Sequence, residues 1–134
     1  MTVQTRTELQ DIKFTDNPVA RNRPDHYTEI TVDTAEIIKS WRESLFSFEW
    51  LLPDGRIKSS GELSEAERPR REAVEAAMAS QTPLDKPVLG IGMLDNVEIG
   101  SGRATFLTLV AHGFKTLPVH IPRTNEADFK KFRV

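Results

Sequence analysis

The sequence predicts an α+β fold, a small mixed sheet flanked by helices, on the strength of three stretches. Tyr27 to Val32 alternates with β-branched residues, as a half-buried strand does. Apolar residues at helical spacing follow at once, and a second helical stretch starts near Pro69. From Val97 to Ile121 the chain then reads extended segment, Gly-Ser-Gly-Arg turn, helix and strand. A chain of 134 residues suffices for one core of ordinary size, so a single domain is expected over residues 27–134.

Residues 1–26 carry Asn17, Pro18, Arg21, Asn22, Arg23 and Pro24 with little apolar periodicity, which reads as a flexible arm or a surface hairpin. In the strand at 27–32, Tyr27, Glu29 and Thr31 share one face. Asp33 stands three before Glu36, the spacing of a capping box, and Ile37, Ile38, Trp41 and Leu45 extend a helix over about 34–46. Phe48 to Leu52, the turn Pro53-Asp54-Gly55, and Arg56 to Ser59 read as a small hairpin. Ser64 and Glu67 form another box-like pair, but Pro69 fits better at the first turn of a helix, whose stripe is Val74, Ala77 and Met78. Pro83 and Pro87 stop that helix before a strand at Val88, Leu89 and Ile91, interrupted by Gly90 and Gly92. His112 and Gly113 close the last helix, and Thr116 to Ile121 is the last strand.

Eighteen Lys and Arg against twenty Asp and Glu leave a net charge of -2, which is no electrostatic footprint for nucleic acid. The one basic cluster of note, Arg68, Arg70 and Arg71, is either a solvated helix start or a local contact to a phosphate backbone. The absence of cysteine excludes disulfides, thiolate zinc sites and cysteine nucleophiles. The first residues lack the apolar run of a signal peptide, and nowhere do about 18 apolar residues follow one another, so a cytoplasmic protein with no membrane partner is expected.

The turn at Gly100, Ser101, Gly102 and Arg103 is the strongest candidate site. Two glycines let backbone amides face outward, and the start of the following helix adds its partial positive charge to the Arg103 side chain. Ser101 and Thr105 add hydroxyls, so a phosphate would be held from three directions. Asp95 and Glu98 are the nearest acids for a Mg²⁺, and Glu36, Glu98, His112 and His120 are candidate bases for hydrolysis. The bland alternatives stand beside these. The glycines form a tight strand-to-helix turn with Arg103 solvated or paired to Glu98; His112 is a cation at a helix C-terminus; His120 is a packed strand histidine. Trp41, Phe46, Phe48 and Trp50 are core, a contact surface or a stacking platform for bases.

The order helix, strand after proline, short strand, G-x-x-R turn, helix ending in Gly and strand reading Leu117-Pro118-Val119-x-Ile121 resembles the ParB/sulfiredoxin superfamily over roughly residues 69–122. The strand and helix at 27–46 fill the family's N-terminal part. Sulfiredoxins carry Cys and His between the Gly and the Arg of this turn, where Ser101 and Gly102 stand here, so sulfinic acid reduction is not expected. Partition proteins have Glu and Arg there and a downstream helix-turn-helix. With twelve residues after Pro122, a centromere-binding clamp is not expected. Ile99 replaces the Asp that many relatives have before the Gly, leaving Gly100 to Arg103 as the part that carries over. The resemblance implies ATP or CTP with Mg²⁺, and NTPase or nuclease activity in plasmid, phage or chromosome maintenance. Two other classes remain: a non-catalytic regulatory or protein-interaction module, and a DNA-associated accessory protein. The sequence does not fix the oligomeric state.

Overall fold

A computed structural model describes residues 12–134. It is an α+β fold built on an open four-stranded mixed sheet and a two-stranded parallel sheet. The strands are β1 (Phe14–Thr15), β2 (Tyr27–Asp33), β3 (Leu84–Asp85), β4 (Val88–Ile91), β5 (Val97–Ser101) and β6 (Thr116–Pro122). The helices are α1 (Pro18–Asn22), α2 (Thr34–Trp41), α3 (Arg68–Ser80) and α4 (Arg103–Ala111). The main sheet runs β2-β6-β4-β5, with β6 antiparallel to β2 and parallel to β4, and β4 antiparallel to β5. Among the described residues no helix is long and apolar enough to cross a membrane.

Alternation along β2 buries Ile30 and Val32 and leaves Glu29 and Thr31 exposed, as the period of two requires. Their buried face meets Leu117, Val119 and Ile121 of β6, Leu89 of β4, and Val97 and Ile99 of β5. Ile37 and Trp41 of α2, Val74 of α3, and Phe106, Leu107 and Leu109 of α4 complete one core with Phe129 and Phe132 near the C-terminus. The end of the chain runs along β2, where the Val134 amide donates to the Thr31 carbonyl.

Three expectations need correction. First, α2 ends at Trp41 and not near 46. Beyond it the ladder tightens to three-residue bonds, the Glu43 and Ser44 amides donating to the Ser40 and Trp41 carbonyls, and hydroxyls take further partners: the Phe46 amide donates to Ser44 Oγ, and Ser47 Oγ donates to the carbonyls of Arg42 and Ser44. Leu45, which fitted the helical stripe, is therefore exposed. Second, the hairpin at 48–59 shrinks to one bridge, Leu51 with Ile57, around a turn with Gly55 at φ 90°; Ser47–Glu49 is a 3₁₀ turn. Third, residues 12–26 form neither a hairpin nor a detached arm. β1 pairs in parallel with β3, and buried Asn17 caps α1 through the Val19 amide while its amide nitrogen donates to the Lys86 carbonyl and to Ser101 Oγ. The remainder of the expected arm lies outside the described residues.

Helix α3 starts where the proline argument places it and packs on α4. It ends on Gln81, whose left-handed φ of 58° lets the Thr82 amide reach back to the Ala77 carbonyl. At the cap of α2, Asp33 accepts from the Glu36 amide, but the Glu36 carboxylate pairs with Lys39, so half of the expected capping box is present.

Candidate functional site

The β5–α4 junction opens into a cleft of about 500 Å³. Its walls are the turn from Ile99 to Thr105, with Glu49, Glu67 and Arg70 opposite. All five residues predicted for a phosphate cradle, Gly100, Ser101, Gly102, Arg103 and Thr105, line it. Local geometry explains why the chain turns here. Gly102 sits at φ 79°, and a Cβ on it would lie 3.0 Å from Pro87 Cα, so only glycine fits. A Cβ on Gly100 would meet nothing closer than the Val88 carbonyl oxygen at 3.6 Å, so that position does not require glycine.

The start of α4 has the features of an anion site. No side chain caps it, and its first turn carries no acidic residue. Helix geometry leaves the amides of its first residues, Arg103, Ala104 and Thr105, without intrahelical acceptors, under the partial positive charge of the dipole. Ser101 is already an acceptor for Asn17 at 3.2 Å, which ties the turn to the N-terminal segment.

Arg103 is held on three sides. Its guanidinium carbon lies 5.8 Å from the ring centre of fully buried Trp41 and 5.3 Å from that of Phe46. Its Nη1 donates to Glu49 Oε1 at 2.9 Å, while its Nε is buried and, among the described residues, has no partner. The expected alternative partner was Glu98. That carboxylate instead accepts from Ser44 Oγ at 2.7 Å and Asn96 Nδ2 at 2.9 Å, and its stem packs where Gly92 lacks a Cβ. Glu67 accepts from the Trp50 indole at 2.8 Å and stands 3.7 Å from Arg70. The cleft thus holds two arginines and two carboxylates, and the helix terminus tips the balance toward anions.

The structure does not bring the predicted metal and proton-transfer residues to this cleft. Asp95, at φ 61° in the β4–β5 turn, lines a separate depression with Asp128, Lys130 and Lys131. Strand β5, Val97–Ser101, runs between that turn and the cleft, which puts the two at opposite ends of the strand. Glu36 is engaged by Lys39 on α2. His112 caps α4 and bonds Glu75 of α3 at 2.8 Å. Burial alone would raise the Glu75 pKa, but hydrogen bonds from His112 and Arg71 hold it below the ordinary value. His120 is buried on β6 opposite Glu29, with Asp16 at 3.6 Å. Burial pushes its pKa down against the pull of Asp16, and Lys86 adds to the fall. A Mg²⁺ would need carboxylates beside the phosphates. The two that are there, Glu49 and Glu67, are engaged by Arg103 and by Trp50 with Arg70. Among the described residues no group of three His, Cys, Asp or Glu side chains could hold a metal.

The basic cluster is mostly structural. Arg68 donates to the carbonyls of Ser60 and Leu63, and Arg71 to the Lys58 carbonyl and Glu75, which leaves Arg70 at the cleft rim. Sequence reasoning missed Glu49, Glu67 and the Asn17 tie as parts of this site, each far from the turn along the chain, and named Arg70 only within the basic cluster. Comparison with protein-family models, curated proteins and solved structures returns no match for this chain.

Proposed function

We propose that the chain is a phosphate-binding domain that takes a small anionic ligand, a nucleotide such as ATP or CTP, over the N-terminus of α4, and that it works by binding without hydrolysis. The observation that carries the reading is the uncapped start of α4 facing a 500 Å³ cleft beside an arginine already held in place by Trp41 and Phe46. A pre-positioned guanidinium and free backbone amides need little reorganisation to take a phosphate. Mg²⁺ would arrive with the nucleotide, since the chain offers it no unengaged carboxylate in the cleft. The proposal leaves out hydrolysis and nuclease chemistry because Glu36, Glu98 and His112 are engaged elsewhere and His120 is buried on β6, and none of the four lines the cleft. It leaves out DNA because two carboxylates line the cleft and two of the three clustered arginines are bonded within the fold.

The Arg103–Glu49 pair favours a second reading, in which the turn is structural and the chain is a protein-interaction module that keeps the fold alone. Calorimetric titration of the wild type and Arg103→Ala with ATP, CTP and GTP, with and without Mg²⁺, separates the two. Saturable binding lost in the variant supports the phosphate site. No binding by the folded wild type leaves the interaction module.

A further inference from the structure

A second surface adjoins the anion cleft, touching it through Phe46, but its groove shares none of the cleft's lining residues. Where α2 ends, the chain leaves Leu45, Phe46 and Phe48 exposed at 79%, 53% and 68%. The segment is not loose. Ser44 Oγ donates to Glu98, Ser47 Oγ bonds two carbonyls, and Ser47–Glu49 forms a 3₁₀ turn, so the aromatic rings are presented on a fixed backbone. Beside them a groove of about 650 Å³ has an apolar floor of Phe48, Leu51, Leu52 and Pro53. Its rim carries Lys39, Arg42 and Lys58 against a single acid, Glu43.

The charge pattern is what identifies the occupant. The chain as a whole is acidic, at -2, yet this groove has three cations to one carboxylate. Among the described residues only Lys39 of the three has an acidic partner, Glu36. Arg42 donates to the Pro53 carbonyl and lies under Gly55, where a Cβ would come within 2.9 Å of it, so its position is fixed while its charge is not neutralised by that bond. We propose that this groove docks an acidic peptide segment of a partner protein, one bulky apolar side chain seated on Phe48, Leu52 and Pro53 and flanking carboxylates on Lys39, Arg42 and Lys58. An aromatic or aliphatic anchor in a groove with a complementary charged rim is the arrangement that gives both affinity and choice of partner.

The test uses fluorescence polarisation with a labelled peptide of Glu and Leu around a central Trp, its charge-inverted counterpart with Lys for Glu, and a version with Trp and Leu replaced by Ser. Saturable binding of the first peptide alone is expected. It should weaken about tenfold in Lys39→Glu/Lys58→Glu, from two exposed ion pairs turned repulsive, and about tenfold in Phe48→Ala. Phe48 and Lys39 are exposed and Lys58 is half-buried outside the core, so circular dichroism should match the wild type, with a small fall in thermal midpoint allowed in the charge variant for the lost Lys39–Glu36 pair. Equal binding of the charge-inverted or Ser-substituted peptide, or no loss in either variant, overturns the proposal. So does finding that the patch instead drives partition onto phosphatidylserine vesicles or self-association abolished by Phe48→Ala. Neither result bears on the anion cleft, so the two readings stand or fall separately.

Discussion

Replacing Glu49 by glutamine should tighten phosphate binding. Glu49 accepts from Arg103 at 2.9 Å, so it would compete with the proposed ligand for that guanidinium, and the two side chains are 35% and 28% exposed. An ion pair at that exposure contributes about 0.2–1 kcal/mol, and the upper end applies because Trp41 and Phe46 already immobilise the guanidinium. A ligand that takes Arg103 must first give up that pairing, so its removal returns up to about 1 kcal/mol, roughly a fivefold gain in affinity. Glutamine keeps the shape and one acceptor oxygen, which limits collateral change in the 47–49 turn. Calorimetric titration of ATP into wild type and Glu49→Gln at equal ionic strength reads the effect directly, and raising the salt should narrow the difference. Unchanged or weaker binding in Glu49→Gln, in a protein of wild-type thermal midpoint, would refute competition between the carboxylate and the ligand.

The two glycines of the turn should separate in stability. Gly102→Ala forces a Cβ into left-handed backbone 3.0 Å from Pro87 Cα, costing about 1–2 kcal/mol for the backbone alone and lowering the thermal midpoint by about 4–8 °C, whereas Gly100→Ala makes only an ordinary contact with the Val88 carbonyl oxygen at 3.6 Å and should stay near wild type. Equal midpoints for the two variants would contradict the geometry. His120 should make stability fall in mild acid. Its folded-state pKa lies below its ordinary value of 6.5, so the unfolded chain takes up the proton more readily, and stability is intact above about pH 6.5 and declines below it. In His120→Gln the urea midpoint should vary less between pH 7 and pH 5 than in the wild type; an identical slope would mean that another group governs that window.

What the sequence made legible, and what it hid, follows from the range of each interaction. Strand β2 and the segment from β5 to β6 were readable because alternation, a positive-φ glycine and a closing Gly113 are local properties of a few residues. Helix α2 was overextended because Leu45 sits at a helical interval, and nothing in that spacing reveals that the hydroxyls of Ser44 and Ser47 take over the backbone partners. The five residues proposed for the cradle line one cleft because they are near neighbours in sequence. Their counterpart Glu49 lies 54 residues from Arg103, and no pattern in either segment points to the other. Asp95 and Glu98 misled for the converse reason. They are close to the turn in sequence, but extended backbone carries Asp95 away, and Glu98 is drawn to Ser44 and Asn96. The role of Asn17, in a segment that composition marked as loose, depends on the Lys86 carbonyl and Ser101 coming within its reach after folding.

The central claim is that the start of α4 takes a phosphate, and backbone amide chemical shifts recorded during titration with ATP and with inorganic phosphate test it at the atoms concerned. The account predicts saturable shifts concentrated at Gly102, Arg103, Ala104 and Thr105, with the Arg103 Nε resonance moving alongside. Shifts scattered over the surface, or a turn that stays silent at saturating ligand, would contradict it.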